Sequence, residues 1–203
     1  MPSTQLNDKQ AKKILMKWPT RPSWPQPSGK GSWVQGQPKQ GNATGPRLSS
    51  PGAKLYTTQP DGLWVYFQGR DSCDVVVVEV CGSVQNMNDK RVRYIPASHS
   101  VILRCASDWL IEEITIVGGG RIKRWEAAGT FGKRPRRDLD IPVRYLRVLY
   151  ALPNDIYRTW GTNHVPTGYE FFCPHSALNS YTSQKMQRFL RQMSLASHFY
   201  TKV

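Results

Sequence analysis

The run Asp74–Val80, with the sequence DVVVVEV, constrains the fold more than any other part of the chain. Consecutive β-branched residues favour a strand over a helix. Because apolar residues fall on both faces of this strand, we expect it to be central and covered on both sides. Glu79 interrupts the apolar run, and a carboxylate is costly to bury without a partner. The sequence therefore predicts a sheet with this strand inside it and a special role for Glu79.

A second strand, Leu63–Phe67 (LWVYF), precedes the first and is separated from it by the turn segment QGRDS, which predicts a β-hairpin. If the turn is centred on residue 70, Phe67 faces Cys73 and Asp61 faces Glu79. Direct neighbours across an antiparallel pair lie about 5 Å apart. Two carboxylates at that distance repel each other unless a cation lies between them. Asp61 and Glu79 are therefore candidate ligands of Mg²⁺ or Mn²⁺, which prefer hard oxygen donors.

Both acids also have ordinary structural interpretations. Asp61 precedes Gly62, a combination that is frequent in turns. Glu79 could be a buried carboxylate whose partner is an arginine such as Arg91, Arg93 or Arg104. The residues by themselves leave these alternatives open beside the metal site.

An Asp at the start of one strand, a hairpin to a Glu in an apolar strand, and then a helix resemble the core of the PD-(D/E)XK, or restriction-endonuclease-like, nuclease superfamily. This superfamily includes Holliday-junction resolvases and transposon end-cleaving nucleases. The resemblance covers roughly residues 54–106, and the stretches that carry it are Pro60-Asp61-Gly62, Val78-Glu79-Val80-Cys81-Gly82 and Asn88-Asp89-Lys90.

The resemblance implies that Asp61 and Glu79 hold a metal ion, which activates a water and neutralises charge on the scissile phosphate. Cys81 occupies the position of the family's lysine, and a thiol cannot supply a cationic hydrogen-bond donor. Some members relocate this lysine, so the resemblance implies Lys90, on the following helix, as the third catalytic residue. Without such a replacement the fold would serve binding alone.

The rest of the chain predicts a mixed α/β domain over residues 54–203. Its central sheet has the β-hairpin as its core and is flanked by helices, an architecture that the resemblance makes restriction-endonuclease-like. The predicted helices cover residues 85–94 and 178–195, further strands cover residues 100–105 and 143–151, and residues 110–117 form a strand or a short helix.

Residues 1–53 differ from this domain in composition, being rich in Pro, Gly, Ser and Gln. Such a composition buries too little apolar surface to offset its conformational entropy, so we expect a disordered basic arm with a short helix near residues 7–18. Residues 1–55 carry nine basic residues and one acid, which is +8 of the net +14. Trp24 and Trp33 within the arm could stack on bases or dock on the domain.

A net charge of +14 attracts polyanions, and nucleic acid is the expected partner, with DNA favoured over RNA. The arm could also bind proteins, a homo-oligomer is compatible with the sequence, and a membrane partner is not expected. The candidate phosphate-binding residues are basic side chains of the arm, of a Pro-containing cluster and of the C-terminal helix: Lys12, Lys13, Lys17, Lys133, Arg134, Arg136, Arg137, Arg188 and Arg191.

Several classes of protein are not supported. No apolar stretch is long enough to span a bilayer, and no secretory signal is recognisable at the N-terminus. The four cysteines show no CxxC spacing, and the four histidines form no hydrolase or zinc motif. We therefore expect a cytoplasmic or nucleoid-associated protein.

Two functions remain. The first is metal-dependent phosphodiester hydrolysis by an endonuclease, or DNA binding by a degenerate nuclease fold. The alternative is non-enzymatic nucleic-acid binding or packaging. A protein of that kind would be a subunit of a larger nucleoprotein complex or a coat-like jelly roll, which needs about eight strands and little helix.

Overall fold

The computed structural model describes residues 6–20, 22–24, 33–36, 47–49, 60–67, 72–94, 101–106, 138–163 and 170–180. Within these residues the chain is an α/β domain whose open, mixed sheet is flanked by helices. None of the helices in these ranges is both long and apolar enough to cross a membrane.

The described strands follow one another as β1 (Trp33–Gln35), β2 (Arg47–Ser49), β3 (Gly62–Phe67), β4 (Cys73–Val80), β5 (Ile102–Ala106), β6 (Asp138–Leu152) and β7 (Glu170–Pro174). The described helices are α1 (Asp8–Leu15), α2 (Val84–Tyr94) and α3 (Asn154–Ile156), followed by a π-helical turn at Tyr157–Gly161 and a 3-10 helix at His175–Ser180. The predicted strands at residues 100–105 and 143–151 correspond to β5 and to part of the longer β6.

The described sheet has seven strands in the order β1-β3-β4-β6-β5-β2, with β7 paired to β6. β3 and β4 form the predicted antiparallel hairpin, and its register confirms the predicted pairing of Phe67 with Cys73. β4 and β6 are parallel, as are β6 and β7, whereas β5 runs antiparallel to β6. Because a jelly roll is built from antiparallel strands, these parallel pairs exclude the coat-like fold for the described sheet.

β4 is the buried central strand that the DVVVVEV run predicted. Val75 and Val77 belong to the core on one face of the sheet, and Val76, Val78 and Val80 belong to the core on the other. Since both faces of β4 are covered by side chains, the strand is apolar on both faces and does not alternate between apolar and polar residues. The strand therefore fixes Glu79 in a dry environment near the end of the hairpin.

The described part of residues 1–53 belongs to the fold, so the predicted disorder is not confirmed there. α1 begins with a capping box in which Asn7 and Gln10 bond each other's backbone N–H, at 2.9 Å in both directions. β1 pairs with β3, and Trp24 and Trp33 are buried against the domain. Of the two roles considered for these tryptophans, docking on the domain is therefore the one observed.

Aromatic packing supplies the apolar surface that the composition of the arm led us to underestimate. The ring of Trp24 lies 5.3 Å from that of Trp64 and 5.7 Å from that of Trp33, measured between centroids. Trp18 lies 5.4 Å from Trp64, and its indole N–H donates to the Leu178 carbonyl at 3.2 Å. A few large rings therefore hold the described residues of this Pro- and Gly-rich segment on the sheet.

Some predictions concern residues outside the described ranges. These are the strand or helix at residues 110–117, the helix at residues 178–195 beyond residue 180, much of the arm, and six of the nine candidate phosphate-binding residues: Lys133, Arg134, Arg136, Arg137, Arg188 and Arg191.

Candidate active site

The β3–β4 hairpin brings Asp61 and Glu79 to the same end of the sheet. Gly62 pairs with Val78, so Asp61, which precedes Gly62, lies opposite Glu79, which follows Val78. The Val80 N–H donates to Asp61 Oδ2 at 2.9 Å, which ties the Asp61 carboxylate to the end of β4. The predicted proximity of the two acids is therefore present in the structure.

Helix α2 places Lys90 between the two carboxylates. Lys90 Nζ lies 2.7 Å from Asp61 Oδ2, 2.7 Å from Glu79 Oε2 and 2.9 Å from the Val80 carbonyl oxygen. The helix starts just after β4, where the Ser83 hydroxyl accepts a hydrogen bond from the Asn86 N–H at 3.0 Å. The short connection turns the buried face of α2 back onto the end of the hairpin, which is where the resemblance expected a relocated lysine.

Tyr94 is a member of the site that the sequence analysis missed. Its buried hydroxyl donates a short hydrogen bond to Glu79 Oε1. Tyr94 follows Lys90 by four residues, and side chains at that spacing share a helix face. This spacing was the one signal in the sequence that could have identified Tyr94. If Lys90 lies on the helix face that contacts the acids, the residue one turn later lies on that face too.

Helix α1 adds a second lysine. Lys12 Nζ lies 2.7 Å from Asp61 Oδ1, and 47% of the Lys12 side chain is exposed. His175 helps to hold the start of this helix: its Nδ1 lies 3.1 Å from the Leu6 carbonyl, and its Nε2 lies 3.2 Å from that of Cys81. Sequence reasoning assigned Lys12 to phosphate contacts, but it could not predict that α1 packs beside Asp61.

The site balances burial against ion pairing. Burial opposes ionisation of Asp61, but hydrogen bonds from Lys12 and Lys90 outweigh it and hold the pKa of Asp61 below its ordinary value. For Glu79 burial is the largest influence, and it raises the pKa despite Lys90 and Tyr94. Burial also works against the charge of Lys90, yet Glu79 and Asp61 prevail and raise the pKa of this lysine. Lys90 therefore stays a cation.

The oxygen atoms around Lys90 form a set that suits a small divalent cation. Asp61 Oδ2, Glu79 Oε2 and the Val80 carbonyl all lie within 2.9 Å of one positively charged nitrogen. Carboxylate and carbonyl oxygens are the ligands that Mg²⁺ and Mn²⁺ prefer. The described residues contain no cluster of three His, Cys, Asp or Glu side chains, so the third protein ligand would be the Val80 carbonyl.

Arg91, one of the three arginines considered as a partner of Glu79, binds another acid instead. Arg91 forms a two-pronged ion pair with Glu170, at 2.8 and 2.6 Å, and Glu79 is paired with Lys90 and Tyr94 instead. Cys81, at the family's lysine position, is fully buried in the core beneath the site. Its thiol donates to the backbone carbonyl of Glu79 at 3.9 Å and does not reach the carboxylates among the contacts described.

The described site thus contains Asp61, Glu79 and Lys90, together with Lys12 from the predicted phosphate-binding set. Lys13 lies on the exposed surface of α1, and Lys17 is exposed just after the end of that helix. Comparisons with known proteins gave no match: no family model, no curated protein and no solved structure is significantly similar to the chain.

Proposed function

We propose that the chain is a metal-dependent endonuclease that hydrolyses phosphodiester bonds in DNA, with a site of the PD-(D/E)XK kind. The observation that carries this proposal is the convergence of two carboxylates, one carbonyl oxygen and one lysine at the end of a hairpin, with Lys90 within 2.9 Å of all three acceptors. The two carboxylates and the lysine are the groups that the resemblance implies, with Lys90 in place of a lysine at position 81, and the Val80 carbonyl is an addition to them.

Asp61, Glu79 and the Val80 carbonyl would hold Mg²⁺ or Mn²⁺. When bound, such a cation activates a water and neutralises charge on the scissile phosphate. Tyr94 fixes the orientation of Glu79 by donating to the carboxylate oxygen that Lys90 does not contact. Lys90, on its flexible four-carbon stem, would leave the position between the acids and donate to the phosphate, offsetting its developing charge.

The charge of the chain supports DNA as the substrate. A net charge of +14 favours a polyanion through phosphate contacts and counterion release. Lys9 and Lys13 are exposed on the helix that also brings Lys12 to Asp61, and Lys17 is exposed just after the end of that helix. Basic side chains therefore border the acidic site. They would attract the phosphate backbone of DNA, which must come close to the site for cleavage.

One observation favours a second candidate, DNA binding without cleavage. Every oxygen of the two carboxylates already accepts from a protein group: Asp61 from Lys12, Lys90 and the Val80 N–H, and Glu79 from Lys90 and Tyr94. Such a cluster satisfies itself without a metal ion and could serve only to stabilise the fold.

A cleavage assay separates the two candidates. The purified protein is incubated with supercoiled, linear and branched DNA in Mg²⁺, in Mn²⁺ and in EDTA, beside the variants Asp61→Asn, Glu79→Gln and Lys90→Met. We expect metal-dependent cutting that falls by about 100-fold or more in each variant, the size of loss that follows removal of one essential group. Asp89→Asn is the matched control, since Asp89 lies on the exposed side of α2 and bonds only Gln85 among the contacts described.

DNA binding by each variant, measured by fluorescence anisotropy, must stay within a few-fold of the parent protein for the loss to be catalytic. Binding without cutting in every metal would reject the nuclease and leave the protein a binding module. Loss of binding together with the cooperative unfolding transition would assign the cluster a structural role.

A further inference from the structure

We infer that the lysines of the active site make the binding of a divalent cation and the binding of a DNA phosphate mutually reinforcing, with Lys12 as the residue that passes from Asp61 to the phosphate. This inference rests on the proposed function, because it assigns partners to the same site. It gives a specific role to Lys12, a candidate phosphate-binding residue on α1, and α1 lies outside the hairpin and helix that carry the resemblance.

Among the described residues, the two carboxylates of the cluster are matched by two lysines. Asp61 and Glu79 contribute two negative charges in their ionised forms, and Lys12 and Lys90 contribute two positive ones. A phosphate that binds alone must draw a lysine away from a buried carboxylate, and a cation that binds alone must displace a lysine from it. In both cases a charged group is left without its partner in a partly desolvated place, which is strongly unfavourable.

The two ligands together remove this penalty. The cation pairs with the carboxylates that the lysines leave, and the phosphate pairs with the lysines. Each ligand therefore lowers the cost of binding the other, and thermodynamic linkage requires the two effects to be equal in size. Typical couplings of this kind change affinities by about 5- to 150-fold.

Exposure decides which lysine moves to the phosphate first. The Lys90 side chain is 11% exposed and contacts both acids, whereas the Lys12 side chain is 47% exposed and contacts Asp61 alone among the ion pairs described. Lys12 therefore lies at the mouth of the site, where a DNA backbone arrives. The stem of Lys12 starts from a helix that is anchored by buried Ala11 and Leu15.

The neighbouring lysines extend this position into a track. Lys9 and Lys13 are exposed and spaced by four residues, so they form one stripe along α1, and exposed Lys17 follows two residues after the helix ends. Adjacent phosphates of the same backbone could pair with this stripe while Lys12 receives the phosphate nearest the acids. Lys9 lies on the same helix without an ion pair to Asp61 in the structure, and it provides the matched control for Lys12.

The experiment measures two affinities in four combinations. Mn²⁺ binding is titrated calorimetrically with and without a phosphorothioate DNA duplex, and duplex binding is measured by anisotropy with Mn²⁺ and with EDTA. Gel electrophoresis confirms that the duplex stays intact. We expect Mn²⁺ to strengthen duplex binding by about tenfold or more, and the duplex to strengthen Mn²⁺ binding by the same factor.

Lys12→Met has a signature that a merely structural lysine would not produce. It should weaken duplex binding in Mn²⁺, strengthen Mn²⁺ binding in the absence of DNA because Asp61 loses a competing cation, and reduce the coupling several-fold. Lys9→Met should weaken duplex binding equally with and without Mn²⁺, leaving the coupling unchanged. Lys12→Arg should restore most of the coupling, which also shows that α1 is still in place.

The outcomes separate this inference from the proposed function. Suppose that Mn²⁺ binds and that Asp61→Asn weakens its binding, so that the metal site is supported. If the coupling factor is then one, or is unchanged in Lys12→Met, the inference is wrong while the metal site stands. If Mn²⁺ binds neither with nor without DNA, the metal site is absent and both proposals are rejected.

Discussion

Cys81 lies directly behind the charged cluster, one residue after the Val80 carbonyl that Lys90 contacts. It is completely buried, and burial raises the pKa of its thiol to about 12, with a further contribution from the charges of Glu79 and Asp61. A thiol with so high a pKa is neither a nucleophile nor a metal ligand near neutral pH. Cys81 is therefore a packing residue beside the site.

Because the Cys81 thiol is buried, the protein should lose stability at alkaline pH. The Cys81 thiol has an ordinary pKa of 9.0 and a folded pKa of about 12, so the folded state holds the proton over a range in which the unfolded state has lost it. The free energy of unfolding should therefore fall as pH rises above 9.0, by up to about 1.4 kcal/mol per pH unit from this group.

Urea unfolding of the parent protein and of Cys81→Ala, at about pH 8 and about pH 10.5, measures this contribution. We expect Cys81→Ala to lose less stability between the two conditions than the parent protein. Parallel losses in the two proteins would show that the thiol titrates normally in the folded state.

Single residues also show what the sequence could predict about the site. Asp61 and Glu79 follow from cross-strand arithmetic within one hairpin, where a turn position fixes every pairing. Lys90 followed from the resemblance together with the helix after β4. The contact of Lys12 with Asp61 depends on how a helix from another part of the chain packs on the sheet, and no periodicity within either segment contains that information.

At the scale of elements, β3 and helix α1 depend on a close approach at Gly62. A Cβ on Gly62 would lie 2.6 Å from the Trp64 ring and 3.2 Å from Leu15 Cδ2. Trp64 is fully buried and packed against Trp18 and Trp24, so its ring has no space into which to move. The absence of a side chain at residue 62 therefore allows the ring to lie over the start of β3, next to Asp61.

Gly62→Ala should displace Trp64 and lower the free energy of unfolding by about 1–3 kcal/mol, the range typical of overpacking. Tryptophan fluorescence during urea unfolding reports both the displacement and the loss. Gly82→Ala is the comparison, because the atom nearest its added Cβ, at 2.3 Å, is Asp8 Oδ2, the end of a side chain that can rotate away. Equal losses in the two variants would contradict the packing described for Trp64.

Elements also differ in how well their sequences predicted them. β4 and α2 carry their own signals, a β-branched run and a polar segment with one buried face. β1 has three residues and lies in a segment of Pro, Gly and Gln, so neither its length nor its composition indicates a strand. It forms because β3 presents a free edge, and because Trp33 packs on Tyr66 with ring centroids 5.5 Å apart.

For the whole molecule, the described part of residues 1–36 belongs to the core on one face of the sheet. Ala11, Leu15, Trp24 and Trp33 belong to the same buried cluster as Trp64 and Val76. Replacing one buried tryptophan with alanine typically costs about 3–5 kcal/mol, and a whole domain has only about 5–15 kcal/mol of stability. Removal of the segment would therefore take away buried side chains that stabilise the fold as well as basic residues.

Deletion of residues 1–36 should abolish the cooperative thermal unfolding transition, measured by circular dichroism, and reduce solubility because Trp64 and Tyr66 become exposed. The triple variant Lys9→Met, Lys13→Met, Lys17→Met is the control that removes charge and keeps the buried rings. It should unfold cooperatively. A deletion variant that unfolds like the full chain would show that the segment is dispensable for the fold.

Two of the contacts that hold α1 and its flanking residues join residues very far apart in the sequence. Trp18 bonds the carbonyl of a residue 160 positions later, and the Leu6 carbonyl meets His175 across 169 positions. During synthesis on the ribosome, the hairpin and α2 emerge long before these partners do. Closing so long a stretch of chain is slow compared with local pairing. The acids and Lys90 can therefore assemble while the chain is being made, but α1 gains its contacts with His175 and Leu178 only after those residues have been translated.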